Sequence, residues 1–141
     1  MDHTWTDPAL TRRMHEMGGF VAAFAYPADA TENFETGFLE GWRTNTSGTT
    51  RPWDGYGFGT DVNGLAPLAE ARPSAAVDPL VYPFTAPSGE VMDRWRFADR
   101  VYDINVDGVA QYWLYADWIA DVLHRAGPDR PELERQLMNG A

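Results

Sequence analysis

Two regimes of hydrophobic patterning divide the chain. In the first 65 residues, helical and strand-like patterns alternate. Leu10, Met14 and Met17 recur at helical spacing, with Thr6 or Asp7 as N-cap, Pro8 in the first turn and Gly18-Gly19 at the end. They predict a helix with those three side chains as its apolar face. Residues 20–25 are continuously apolar, the pattern of a strand covered on both sides. Phe34, Phe38 and Trp42 suggest a second helix over 31–42, which Gly37 and Gly41 weaken. After a polar loop at 45–54, residues 56–60 form a second strand. The order helix, strand, helix, strand is that of a parallel α/β layer.

From residue 66 the pattern changes. Residues 66–88 are proline-dense, with no period beyond Leu80-Val81-Tyr82-Pro83-Phe84, and read as an extended excursion with one edge strand. Residues 91–102 interleave arginines with Trp95, Phe97 and Tyr102, as a hairpin or an irregular arm. Asp107 is then expected to cap a helix over 108–125 whose stripe is Tyr112, Tyr115, Trp118, Ile119 and Val122. Gly127-Pro128 breaks it, and a short final helix follows over 131–138. The expected organisation is one domain in three stretches: α/β units over 1–65, an irregular Pro/Arg-rich arm over 66–106, and C-terminal helices over 107–141.

Composition narrows the chemistry. A net charge of −10 argues against unassisted binding to nucleic acid. No apolar run approaches a membrane span, and residues 1–5 lack the character of a signal peptide. The cytoplasm is therefore the default expectation, which an upstream segment carrying a signal would change. With no cysteine there is neither a disulfide framework nor a thiolate metal site. All eleven basic residues are arginine. The absence of lysine excludes Schiff-base chemistry, a P-loop lysine and a carboxylated lysine bridging two metals, though a GC-rich coding bias would produce the same pattern.

Asp61 is the foremost catalytic candidate. A carboxylate closing a buried parallel strand can ligate a divalent metal or take the proton of a metal-bound water. The plainer alternative is an acid capping the Asn63-Gly64 turn. His3 is a candidate metal ligand, set against a solvated terminal histidine. His15, read as lying on a surface helix, and His124, near a helix end, receive no catalytic role. Asp103, Asn105 and Asp107, with Gly108 at position six, match the first half of a calcium loop, but the twelfth position is Leu114 rather than an acid. An Asx turn followed by an N-cap explains the same residues. Trp42 and Trp118 read as core; Trp53, just before the second strand, stays open as a binding residue.

His3-Thr4-Trp5, Gly18-Gly19-Phe20-Val21 with Tyr26-Pro27, and Gly59-Thr60-Asp61 together resemble the C-terminal third of membrane dipeptidase-like metallohydrolases of the amidohydrolase superfamily. The stretches Tyr102-Asp103-Ile104-Asn105-Val106-Asp107-Gly108-Val109-Ala110 and Leu114-Tyr115-Ala116-Asp117-Trp118 look like the tail of a bacterial branch of that family. The resemblance implies a partial (β/α) barrel, its last two or three β/α units followed by the irregular arm and terminal helices. It also implies zinc held by His3 and Asp61, and hydrolysis of dipeptides and related amides. Ligands from the early strands of such barrels have no counterpart in this sequence, and Gln111 and Trp113 stand where the branch has His and Gly. A bulky Trp113 would crowd its helix or fill a gap. Two ligands do not build a zinc site. The expected function is thus a fragment or remnant of a metal-dependent hydrolase, inactive as the isolated chain. One alternative is an assembly module that completes a barrel with another chain or a second copy. Another is a calcium-stabilised extracellular binding domain.

Overall fold

The computed structural model describes residues 7–32, 36–46, 51, 54–60 and 68–140. Helix α1 (Pro8–Glu16) starts where Asp7 Oδ1 accepts the Ala9 N–H at 2.8 Å. It stops at Gly18, whose φ of +85° suits glycine and lets the Gly19 N–H reach Met14 O. The helix lies on a face other than the expected one. Leu10 and Met17 are 63% and 70% exposed, while Thr11 and His15 are 1% exposed. His15 is therefore not on a surface. Among the described residues its two ring nitrogens and the Thr11 hydroxyl have no hydrogen-bond partner, and each such buried group costs about 1–3 kcal/mol.

Strand β1 (Val21–Phe24) and strand β2 (Tyr56–Gly59) pair in parallel, Val21 opposite Tyr56 and Phe24 opposite Gly59. Helix α2 (Phe38–Thr46) connects them. It starts later than its apolar spacing suggests. The Phe38 and Leu39 N–H groups bond to Pro27 O and Ala28 O, and a side chain on Gly37 would meet the Asp29 backbone at 2.4 Å. Residues 28–30 therefore press on the chain just ahead of the helix. Phe38 and Trp42 are buried as their spacing implies, whereas Phe34 lies outside the described residues.

The sheet is covered fully on one face and partly on the other. Ala23 is buried and Phe58 packs beside it on the first face, with Tyr56 against Phe38 and Phe58 against Trp118. The opposite face carries Ala22, Phe24, Gly57 and Gly59; Ala22 and Gly59 are exposed, Phe24 is half-buried, and Gly57 is buried with the Phe20 ring beside it. Two further antiparallel pairs are short: β3 (Phe84–Thr85) with β4 (Val91–Met92), and β5 (Arg96–Phe97) with β6 (Arg100–Val101). Among the described residues no sheet closes into a barrel. Nor is any helix there long and apolar enough to cross a membrane.

The C-terminal third supplies the other half of the core. Helix α3 (Ile104–Asp107) is capped by Asp103 through the Asn105 N–H. Asp107 therefore ends this short helix and does not open the next one. A 3-10 turn at Tyr112–Leu114, capped by Gln111, leads into helix α4 (Tyr115–Ala126), and helix α5 (Arg130–Asn139) follows. Trp118, Val122, Leu123, Leu133 and Leu137 join Phe38, Trp42 and Tyr56 in one core, while Tyr112 is exposed. Both central indoles find partners: Trp42 Nε1 donates to Gln136 Oε1 at 2.7 Å, and Trp118 Nε1 to Tyr26 O at 2.8 Å. Trp113 neither crowds its helix nor fills a gap. It is 68% exposed, its ring stacked on Trp95 with centroids 5.5 Å apart.

The Thr11 hydroxyl gives the first prediction. Thr11→Val keeps the shape of a buried side chain and removes an unpartnered polar group, so it should stabilise the fold by up to about 1 kcal/mol. Urea unfolding measures this, and a loss of stability would mean that the hydroxyl is satisfied in solution.

Candidate functional site

The densest grouping of chemistry-bearing side chains centres on Arg72, which immediately precedes a 3-10 turn at Pro73–Ala76. Its side chain is 1% exposed, and Nε meets both oxygens of Asp121, at 2.9 and 2.8 Å. The other guanidinium nitrogens reach Ser74 Oγ and Asp78 O. Ser74 Oγ donates in turn to Asp29 Oδ2, and Arg125 Nε approaches the same carboxylate at 3.1 Å. His124 Nε2 meets Asp78 Oδ1 at 2.9 Å. Four stretches converge here: the loop after β1, the 3-10 turn, the segment leading from it through Asp78, and the last two turns of α4.

Electrostatically the group is a neutralised interior charge with a wetter rim. Burial pushes the Asp121 carboxyl above its ordinary range, against the pull of Arg72. The hydrogen bond from His124 holds Asp78 below its usual value. A cleft of about 460 Å³ opens beside Asp29, bounded by Gly37, Glu40, Arg43, Arg125 and Pro128. Arg43 turns to Asp129 there, with both Nε and Nη2 on Oδ2. Such an arrangement can orient a small polar ligand by charge. Ser74 carries no nucleophile activation of the serine–histidine kind, because its hydroxyl proton goes to Asp29 and His124 faces Asp78 instead.

A second buried polar group lies on α4 one turn earlier. The Tyr82 hydroxyl donates to Asp117 Oδ1 at 2.5 Å and accepts the Ile104 N–H at 3.3 Å. Arg94 lies over the Tyr82 ring, 4.6 Å from its centroid, and its Nε meets Asp103 Oδ2 at 2.7 Å. Burial raises both Asp117 and Tyr82. Burial also raises the Tyr56 phenol, to about 12, with the Asn45 side chain opposing it.

The residues proposed from the sequence are placed as follows. His3, Asp61 and Trp53 lie outside the described residues, although Asp61 follows directly on Thr60, one residue past β2. The Asp103, Asn105 and Asp107 oxygens are all turned to protein donors. Asp103 takes Arg94, the Asn105 N–H and the Asn105 amide; Asn105 Oδ1 takes the Leu80 N–H; Asp107 takes Arg100 and the Asp103 N–H. Against the burial that would raise it, bonds from Arg94 and Asn105 hold Asp103 below the usual carboxylate range. Among the described residues no three histidines or acids are grouped so as to hold a metal ion. Arg72, Asp121 and Asp29 carried no sequence motif. The available signal was Asp117 and Asp121 standing four apart on the buried stripe of α4. Comparisons with protein-family models, curated proteins and solved structures found no match.

Two predictions come from these groups. Arg72→Met leaves Asp121 buried without its partner and should cost about 3–5 kcal/mol, read by urea unfolding at neutral pH. A cost within a few tenths would mean that water reaches Asp121. For Asp117 the raised pKa fixes the sign: the folded state holds the proton more tightly, so this contribution is present at low pH and lost as pH rises through the folded pKa. Asp117→Asn should therefore gain on the wild type as pH rises across that range and level off above it. An opposite slope in thermal melts across pH would show that the carboxylate, not the acid, is favoured inside.

Proposed function

We propose that this chain is the closing β/α portion of a metal-dependent amide or dipeptide hydrolase, that it is catalytically incomplete by itself, and that it works as an assembly module. One observation carries the reading. A parallel pair joined through a helix is packed fully on one face and only partly on the other, and parallel sheets occur almost solely with both faces covered. The partly exposed face, with Ala22 and Gly59 beside half-buried Phe24, suits further strands from another chain or a second copy. Asp61 follows the C-terminal end of β2, the end where β/α enzymes gather their chemistry, and this supports the hydrolase side of the proposal.

Zinc is the metal this reading implies, and the described residues do not supply a donor set for it. His15 is enclosed against the body of the fold and His124 is paired with Asp78, which leaves His3 and Asp61 as the proposed ligands. A metal with two protein ligands is weakly held and its bound water poorly controlled, so no catalytic step is assigned to this chain alone.

The test is direct. Supplied with zinc, manganese or cobalt, the chain should hydrolyse dipeptides no faster than its Asp61→Ala variant, and dialysis followed by elemental analysis should find no tightly held metal. Metal-dependent turnover abolished by Asp61→Ala would overturn the incompleteness and place the missing ligands in a second subunit. Calcium retained through dialysis would point instead to the 103–107 turn.

A further inference from the structure

The cleft beside Asp29, about 460 Å³, is walled by charged side chains whose hydrogen-bonding capacity is only partly spent. Arg125, in the last turn of α4, is held by its Nε alone, which meets Asp29 Oδ1 at 3.1 Å and Oδ2 at 3.4 Å. Neither of its Nη atoms has a partner among the described residues. Arg43, on α2, gives Nε and Nη2 to Asp129 Oδ2 at 3.0 and 2.8 Å and keeps Nη1. In both cases the acid takes the flank of a planar guanidinium and so orients it, leaving the end of the fork for a second acceptor. Asp29 is itself fixed by the Ser74 hydroxyl. Glu40, in the first turn of α2, has no hydrogen bond or ion pair among the described residues. Two oriented cationic ends and one free carboxylate thus border one open space.

We infer that this cleft binds a small zwitterion, its anionic oxygens received by the ends of Arg43 and Arg125 and its ammonium by Glu40. A plain anion would meet the two arginines but also the carboxylates of Asp29, Asp129 and Glu40. A plain cation would leave both guanidinium ends unused. A ligand carrying both charges engages every unspent group. The end of α4 adds to the cation side, since Ala126 and Gly127 line the cleft and the helix dipole there favours positive charge. The volume lies toward the small end of ligand clefts and suits a compact molecule. This inference does not rest on the hydrolase reading: it needs no metal and neither His3 nor Asp61.

Amide chemical-shift titration of the full chain tests it. L-Alanine and O-phosphoethanolamine carry the required charge pair, on a carboxylate and a phosphate respectively. At least one should bind with a Kd of about 1 mM and shift residues 28–30, 37–43 and 125–128, and the tighter of the two names the anionic group. Removing either charge from the ligand, as in L-alaninamide and N-acetyl-L-alanine or in ethylamine and ethyl phosphate, should weaken binding about tenfold. Arg125→Gln should cost the parent ligand about tenfold and leave the forms without an anion unaffected. Glu40→Gln, which removes no described contact of the fold, should erase the advantage over the forms without an ammonium. Asp61→Ala should bind as the wild type does, so failure of the hydrolase reading leaves this result standing. No saturable shift with either probe would overturn the inference, as would binding that survives both Arg125→Gln and Glu40→Gln. Ethyl phosphate matching O-phosphoethanolamine would overturn it too, reducing the cleft to a plain anion site. If Arg125→Gln unfolds the chain, Glu40→Gln and the ligand comparison still decide.

Discussion

A guanidinium enclosed away from water has to be met by acceptors, and Arg72 meets them from separate stretches of chain. Asp121 comes from α4, Ser74 from the 3-10 turn and Asp78 from the segment beyond it, while Asp29 is reached through Ser74. That requirement pins a proline-dense segment whose apolar side chains follow no regular period. The segment also presses close elsewhere: the Val109 N–H bonds to Ala69 O, and Gly108, at φ +59°, leaves no room for a side chain against residues 69–71. Remove the charge and the stretch between β2 and α3 loses its principal anchor to α4.

The N-terminal half shares one core with that anchored body. Its two strands bury one face against the helices through Tyr56, Phe58, Phe38 and Trp118, and the rings alternate edge-on and tilted contacts that fix their packing. The last residues of α5 close on the other end of β2, where a side chain on Gly140 would meet the Tyr56 backbone at 2.8 Å. The consequence is an uneven sheet: one face well packed on the helices, the other carrying exposed Ala22 and Gly59 beside half-buried Phe24.

How far the sequence alone could be read follows from the range of the forces involved. Local signals were sound where they acted over a few residues: Asp7 and Pro8 opening α1, Gly18 ending it, and the strand at 56–59. The buried face of α1 was misjudged because an apolar stripe names the side that prefers burial, and here the neighbouring surface takes Thr11 and His15. The start of α2 was misjudged because Gly37 is governed by contact with residues 28–30, which no helical period contains. Asp107 fits the signal for opening a helix at 108, yet it ends α3, and Gln111 caps the 3-10 turn that leads into α4. Of the candidate site, Asp121 was half-legible as an acid on an apolar stripe; Arg72 was not, because its partners lie far away in sequence and the proline-rich stretch offers no period to read.

The stacked Trp95 and Trp113 have an optical consequence. Two indoles nearly parallel, 19° between planes, couple their electronic transitions, whereas Trp42 and Trp118 are buried in the core. The ultraviolet ellipticity of this protein should therefore contain a paired-sign contribution unrelated to backbone conformation. Helix content derived from such spectra would be biased, and the bias would vanish wherever the 95–101 hairpin peels away from the start of α4. The surface pair is thus a built-in reporter of arm docking, legible without a label.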